Sequence, residues 1–134
     1  MQIPKGATVA VADGQKLSMF RNTGGPDAPK LQAIDVPAVS TTNRSGGAGH
    51  SSSAANPQDT QVEEDGFAAG IAELLNAQAT SGKLEGLVVV AAPRTLGELR
   101  KHYHPKLKEK LVGEVSKDLT GQTSEDIERA LQAA

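Results

Sequence analysis

The chain contains no cysteine and no tryptophan, and its 134 residues include only two phenylalanines and one tyrosine. Without cysteine there is no disulfide, no thiolate metal site and no cysteine nucleophile. Packing must rest on Val, Leu, Ile and Ala, and base stacking on aromatic platforms is almost foreclosed. Long apolar runs are also missing. No stretch approaches the ~18 residues of a membrane helix, so no membrane insertion is expected. Met1-Gln-Ile-Pro-Lys5 leads into a short apolar run broken at Asp13, which does not read as a signal peptide. A cytoplasmic location is the expectation. At this length there is room for a single core, so residues 1–134 read as one domain.

The formal net charge is only −2, but the charge is unevenly spread. Residues 94–110 hold six basic side chains (Arg94, Arg100, Lys101, Lys106, Lys108, Lys110) against Glu98 and Glu109, a net +4. Residues 60–93 hold Glu63, Glu64, Asp65, Glu73 and Glu85 against Lys83, a net −4. A basic run of this kind is either a solvated helix face or a phosphate-facing surface.

Apolar patterning gives the elements. Thr8 to Ala12 reads as a strand, Asp13-Gly14 as a hairpin turn, and Lys16 to Asn22 as a second, alternating strand. Leu31 to Val36 is a third strand, ended by Pro37. Residues 38–59 are rich in Ser, Thr, Asn, Gly and Ala, cannot bury enough surface to offset ordering entropy, and read as a long flexible, disordered loop. Thr60-Gln-Val-Glu63 has the form of a capping box starting a helix, on which Phe67, Ile71, Leu74 and Leu75 make one apolar stripe as far as Gln78. Ser81-Gly82 ends it.

Leu87 to Ala91 lacks polar alternation and reads as a strand covered on both faces. Thr95 and Glu98 form a second capping box, predicting a helix from about Leu96 to Tyr103 with a short continuation, Lys106 to Leu111, beyond Pro105. Val112 to Val115 is a short strand, and Thr123 caps a last helix bearing Ile127 and Leu131. The order β-β-β-α-β-α-β-α predicts an α/β fold. Three strands form an antiparallel meander, and two crossover strands add in parallel to complete a mixed five-stranded, ribonuclease H-like sheet.

The fold class invites a nuclease test. A two-metal site ~4 Å across needs several carboxylates. Asp13 ends the first strand and Glu63, Glu64 and Asp65 open the first helix, but the fourth strand runs into Ala91-Ala92-Pro93 and offers none. Asp13 and Gly14 are better read as turn formers. His102 and His104 flank Tyr103 with no third ligand nearby, and a pair favouring a helix C-terminus fits better than a metal site. Asp118 either pairs with Lys117 or Arg94 or caps the turn into Thr120-Gly121. No nucleophile elbow, P-loop or dinucleotide fingerprint is present. No catalytic residue, metal, cofactor or small-molecule ligand is therefore expected. Arg94, Arg100 and Lys117 along one rim, with Lys101, Lys106 and Lys108, are the candidate phosphate contacts. Arginine grips phosphate oxygens in bidentate fashion without reading sequence.

Four segments together carry a resemblance: Val9 to Gly14, Phe20-Arg21-Asn22, Val88 to Arg100 with its A-P-R-x-L-G-E-L-R run, and Val112 to Thr120 with K-D-L-T. The chain resembles the bacterial host attachment protein family, itself similar to the middle domain of archaeo-eukaryotic class-one release factors. The resemblance implies a ribonuclease H-like sheet and, between its early strands and the next helix, the place where those factors carry a Gly-Gly-Gln loop that positions a hydrolytic water. Here that place holds Arg44-Ser45-Gly46-Gly47-Ala48-Gly49-His50, a glycine pair with no glutamine after it. The expectation is a non-catalytic release-factor-like module contacting structured RNA or the ribosome. In it, residues 94–110 hold phosphates and the 38–59 loop (Arg44, Gly46, Gly47 and His50 among its candidates) orders on binding. The alternative is a protein-interaction module in host-cell attachment or its regulation, without RNA.

Overall fold

The computed structural model describes residues 1–39 and 57–134. Its elements are β1 (Thr8–Ala12), β2 (Leu17–Asn22), β3 (Leu31–Ile34), α1 (Pro57–Thr80), β4 (Leu87–Ala91), α2 (Pro93–Arg100), α3 (Pro105–Lys110), β5 (Leu111–Ser116) and α4 (Ser124–Ala133). Five strands form one sheet in the order β3-β2-β1-β4-β5. β1–β2 and β2–β3 pair antiparallel, while β1–β4 and β4–β5 pair parallel. This is the mixed sheet expected from the element order.

β1 and β4 are buried along their whole length, which explains their unbroken apolar sequences. Their alternate side chains feed two cores. Ala10, Ala12, Val89 and Ala91 pack with Ile71 and Leu75 of α1, Leu96 and Leu99 of α2 and Leu107 of α3. Val9, Val11, Val88 and Val90 pack on the other face with Ile127 and Leu131 of α4 and with Ile3. Small residues on the α1 side (Ala68, Ala72) let that helix lie close to the sheet. Burying each large aliphatic side chain contributes about 1.5–3 kcal/mol. The apolar stripe of α1 is therefore what anchors the 24-residue helix.

Neither expected capping box opens its helix. α1 begins at Pro57, before Thr60, and a proline is tolerated in that first position because its missing N–H has no helical partner to lose. α2 begins at Pro93 with Ala92 as N-cap and no side-chain cap bond. Thr95 is thus already inside the helix and buried. Glu98 turns instead toward Lys101 (3.0 Å) and His102 (3.4 Å). α2 and α3 are separate helices, and β5 begins one residue earlier than the apolar run suggested. Of the expected 38–59 loop, residues 57–59 are helical. Residues 40–56, with Arg44, Gly46, Gly47 and His50, lie outside the described residues.

The Asp13-Gly14 hairpin forms, with a four-residue connection. Asp13 Oδ1 accepts from the Gln15 and Lys16 backbone N–H groups, both at 2.7 Å. Gly14 is not in the left-handed region. Its requirement is space: a Cβ there would lie 2.6 Å from the Glu64 carboxyl carbon. Gly82 does the conformational work foreseen for it, at φ +78°, while Lys83 N–H closes onto the Gln78 carbonyl at 3.0 Å. Among the described residues, no helix is long and apolar enough to cross a membrane.

Candidate functional site

Three parallel strands give the sheet two chemically distinct ends. At the carboxyl end of β1, β4 and β5, the turn after β1 meets the turn after β5. The Thr120 hydroxyl lies 3.0 Å from Asp13 Oδ2 and 2.5 Å from Asp118 Oδ1, and Asp118 Oδ1 also accepts from Thr120 N–H at 3.1 Å. Asp118 is therefore a turn cap, and among the described residues it pairs with neither Lys117 nor Arg94. Partial burial raises the Asp13 pKa. The N–H groups of Gln15 and Lys16 and the Thr120 hydroxyl outweigh it, leaving the carboxyl below its ordinary range.

Beside this pair, Gln61, Glu64, Asp65, Arg94, Thr95 and Glu98 line a shallow cleft of about 20 Å³, room for little more than a water molecule. Among the described residues no group of three or more acidic or histidine side chains is placed to hold a metal ion.

The basic segment does not form one rim. Arg100 is engaged by Glu114 of β5 through Nε and Nη2, the shortest contact being 2.9 Å. That bidentate bond raises the pKa of the guanidinium. Tyr103 donates to the same carboxylate at 3.3 Å, and burial, with the Glu114 charge, raises the pKa of its phenol. Lys101 is held by Glu98, whose carboxyl sits below its usual range chiefly because of that bond. Arg100 and Lys101 thus serve first to fasten α2 to β5 and to its own last turn. Arg94 and Lys117 stand exposed at the carboxyl end, next to the carboxylates. Lys106 and Lys108 stand exposed on α3, which leads into the opposite end of β5. Among the described residues none of these four forms an ion pair.

The histidines divide as well. His102 follows α2, its Nε2 3.4 Å from a Glu98 carboxylate oxygen. His104 does the reverse. It is the N-cap of α3, its Nδ1 accepting from Lys106 N–H at 3.0 Å. Asn76 of α1 grips this turn, donating to the His102 carbonyl (2.8 Å) and accepting from His104 N–H (2.9 Å). α3 and its lysines are therefore presented on a braced turn.

Sequence reasoning missed Asn22, fully buried at the end of β2. Its Nδ2 donates to the Ile3 carbonyl, and its Oδ1 accepts from Gly24 and Lys30 N–H, all at 2.9 Å. An asparagine two residues after Phe20, on the same face of β2, was the available signal. Its partners lie in two separate segments, which no local pattern links.

Comparison with known families adds one finding. Residues 6–131 match the family model described as bacterial archaeo-eukaryotic release factor family 12. No curated protein matches the chain.

Proposed function

Because the chain belongs to bacterial archaeo-eukaryotic release factor family 12, we propose that it works as a non-catalytic release-factor-like module contacting structured RNA or the ribosome. The connection between β3 and α1 is where release factors carry their hydrolytic loop, and here it lacks glutamine after Gly46-Gly47. The observation that carries the RNA contact is the pair Lys106 and Lys108, exposed on a braced helix and without a carboxylate partner among the described residues. Such ammonium groups hold phosphates as point charges and fix orientation without reading bases.

Ribosome co-sedimentation at low and moderate salt tests the proposal. Wild-type protein should pellet with ribosomes at low salt and progressively less as salt rises. Lys106→Gln/Lys108→Gln should pellet less at every salt. Absence of co-sedimentation at both salts refutes the reading.

A second reading, a protein contact module in host-cell attachment or its regulation, is supported by the A-P-R-x-L-G-E-L-R and K-D-L-T segments. It predicts that pull-down of the native protein recovers a protein partner in the presence of ribonuclease and recovers no RNA in its absence.

A further inference from the structure

The start of each parallel strand carries lysine. Lys5 precedes β1, Lys83 precedes β4, and Lys110 directly precedes β5. These positions are up to 105 residues apart in the chain, yet the register brings their segments together. Thr8 pairs with Leu87 and Leu87 with Leu111, so all three strands start at one level. Thr8 N–H donates to the Gly86 carbonyl at 2.8 Å, and a Cβ on Gly86 would lie 4.0 Å from the Lys110 carbonyl oxygen and 3.5 Å from Ala7 Cβ. Lys5 and Lys83 are exposed and Lys110 is half-buried. Lys106 and Lys108 lie within a turn and a half of Lys110 on α3.

The carboxylates at this end include Glu85, beside Gly6, and Glu109, together with Asp27 of the β2–β3 turn, which accepts from Gln2 Nε2 at 2.9 Å, and Glu128, which accepts from Leu31 N–H at 2.7 Å. None of these four is in an ion pair among the described residues. With Arg21 and Lys30 of the β2–β3 hairpin beside the five lysines, cations outnumber carboxylates and leave the face cationic. The other end of the same strands carries Asp13, Glu64, Asp65 and Asp118 around Lys16, Arg94 and Lys117. The molecule is electrically polarised along its strand axis.

We infer that the amino end of the parallel strands is the face that docks on an RNA backbone, with Lys5, Lys83 and Lys110 joining Lys106 and Lys108 as phosphate contacts. The inference rests on the RNA reading above and adds its orientation: the acidic end points away from the bound backbone. A polyanion is steered to the cationic end and repelled from the carboxylate end before any contact forms. A second copy of this chain is disfavoured at this face, since a two-fold contact would bring lysines against lysines.

The test compares two triple variants of equal charge change. One is Lys5→Gln/Lys83→Gln/Lys110→Gln at the amino end, the other Lys16→Gln/Arg94→Gln/Lys117→Gln at the carboxyl end. Binding to a fluorescein-labelled RNA hairpin is followed by anisotropy across a salt series, alongside ribosome pelleting. The amino-end variant should lose at least tenfold in affinity at low salt and show a shallower dependence of log K on log salt, by about two phosphate contacts. The carboxyl-end variant should change affinity less than twofold. Equal losses in the two variants, or a larger loss in the carboxyl-end one, overturn the orientation while leaving RNA binding intact. Failure of the wild-type protein to bind hairpin or ribosome overturns the RNA reading itself, and the inference with it.

Discussion

Replacing Asn22 by alanine is the sharpest test of how the amino end is held together. The side chain is 0% exposed and joins two segments: the chain before β1 through the Ile3 carbonyl, and both ends of the β2–β3 connection through Gly24 and Lys30 N–H. Alanine removes three bonds of 2.9 Å and leaves their backbone partners to find water or go without. Each bond is worth about 1 kcal/mol net, and a stranded buried partner costs about 1–3 kcal/mol. The Gly24 and Lys30 groups are only partly buried and recover some hydration, so the expected total is about 3–4 kcal/mol.

That loss should appear in urea unfolding as a lower midpoint with an unchanged m-value, since the surface exposed on unfolding is nearly the same. Asn22→Asp keeps the acceptors for Gly24 and Lys30 but sets a carboxylate against the Ile3 carbonyl. At neutral pH it should be destabilised at least as much. A loss below about 1 kcal/mol for Asn22→Ala would show that these bonds are not what ties the segments together.

Three further outcomes follow from the geometry. Asp13, Glu98 and Asp126 all have pKa values below their ordinary range, so the folded state takes up their protons less readily than the unfolded chain. The stability they add is complete above the carboxylate range and is lost as pH falls through the folded pKa values. Asp13→Asn should therefore flatten the decline in urea midpoint between neutral and acid pH, and an unaltered decline would count against the Asp13 bonding described here. Gly14→Ala should cost less than about 1 kcal/mol, because the obstructing atoms belong to the flexible Glu64 side chain. In a Glu64→Ala background that cost should vanish, which a double-mutant cycle by thermal unfolding measures. His104→Asp retains an acceptor for Lys106 N–H and adds favourable charge at the α3 N-terminus. It should stabilise by about 0.5 kcal/mol, whereas His104→Ala should cost about 1 kcal/mol, both read by chemical denaturation.

What could be read from the chain alone was whatever a few neighbouring residues specify. Leu87 to Ala91, apolar at every position, is the fully buried β4. Thr123 is the N-cap of α4, its side chain accepting from Asp126 N–H. Gly82 closes α1 in the left-handed conformation. The capping boxes misled because a proline sits just ahead of each and opens the helix earlier, α1 at Pro57 and α2 at Pro93, the latter with no side-chain cap bond. Thr60 and Thr95 are consequently interior positions.

The candidate site was less legible. Residues 94–110 read as a cationic stretch, but charge in sequence does not say which carboxylate lies across the sheet. Glu114 takes up Arg100 only because β5 pairs beside β4, under the end of α2.

The sequence by itself determined the strands and helices, their order and the mixed sheet that order demands, because periodicity and turn chemistry act over short range. Only the tertiary structure decided which cations are neutralised, that His104 caps a helix rather than ending one, and that lysines from three distant segments share one end of the sheet. Those outcomes depend on parallel register, which aligns the starts of β1, β4 and β5 through backbone hydrogen bonds between residues far apart in the chain.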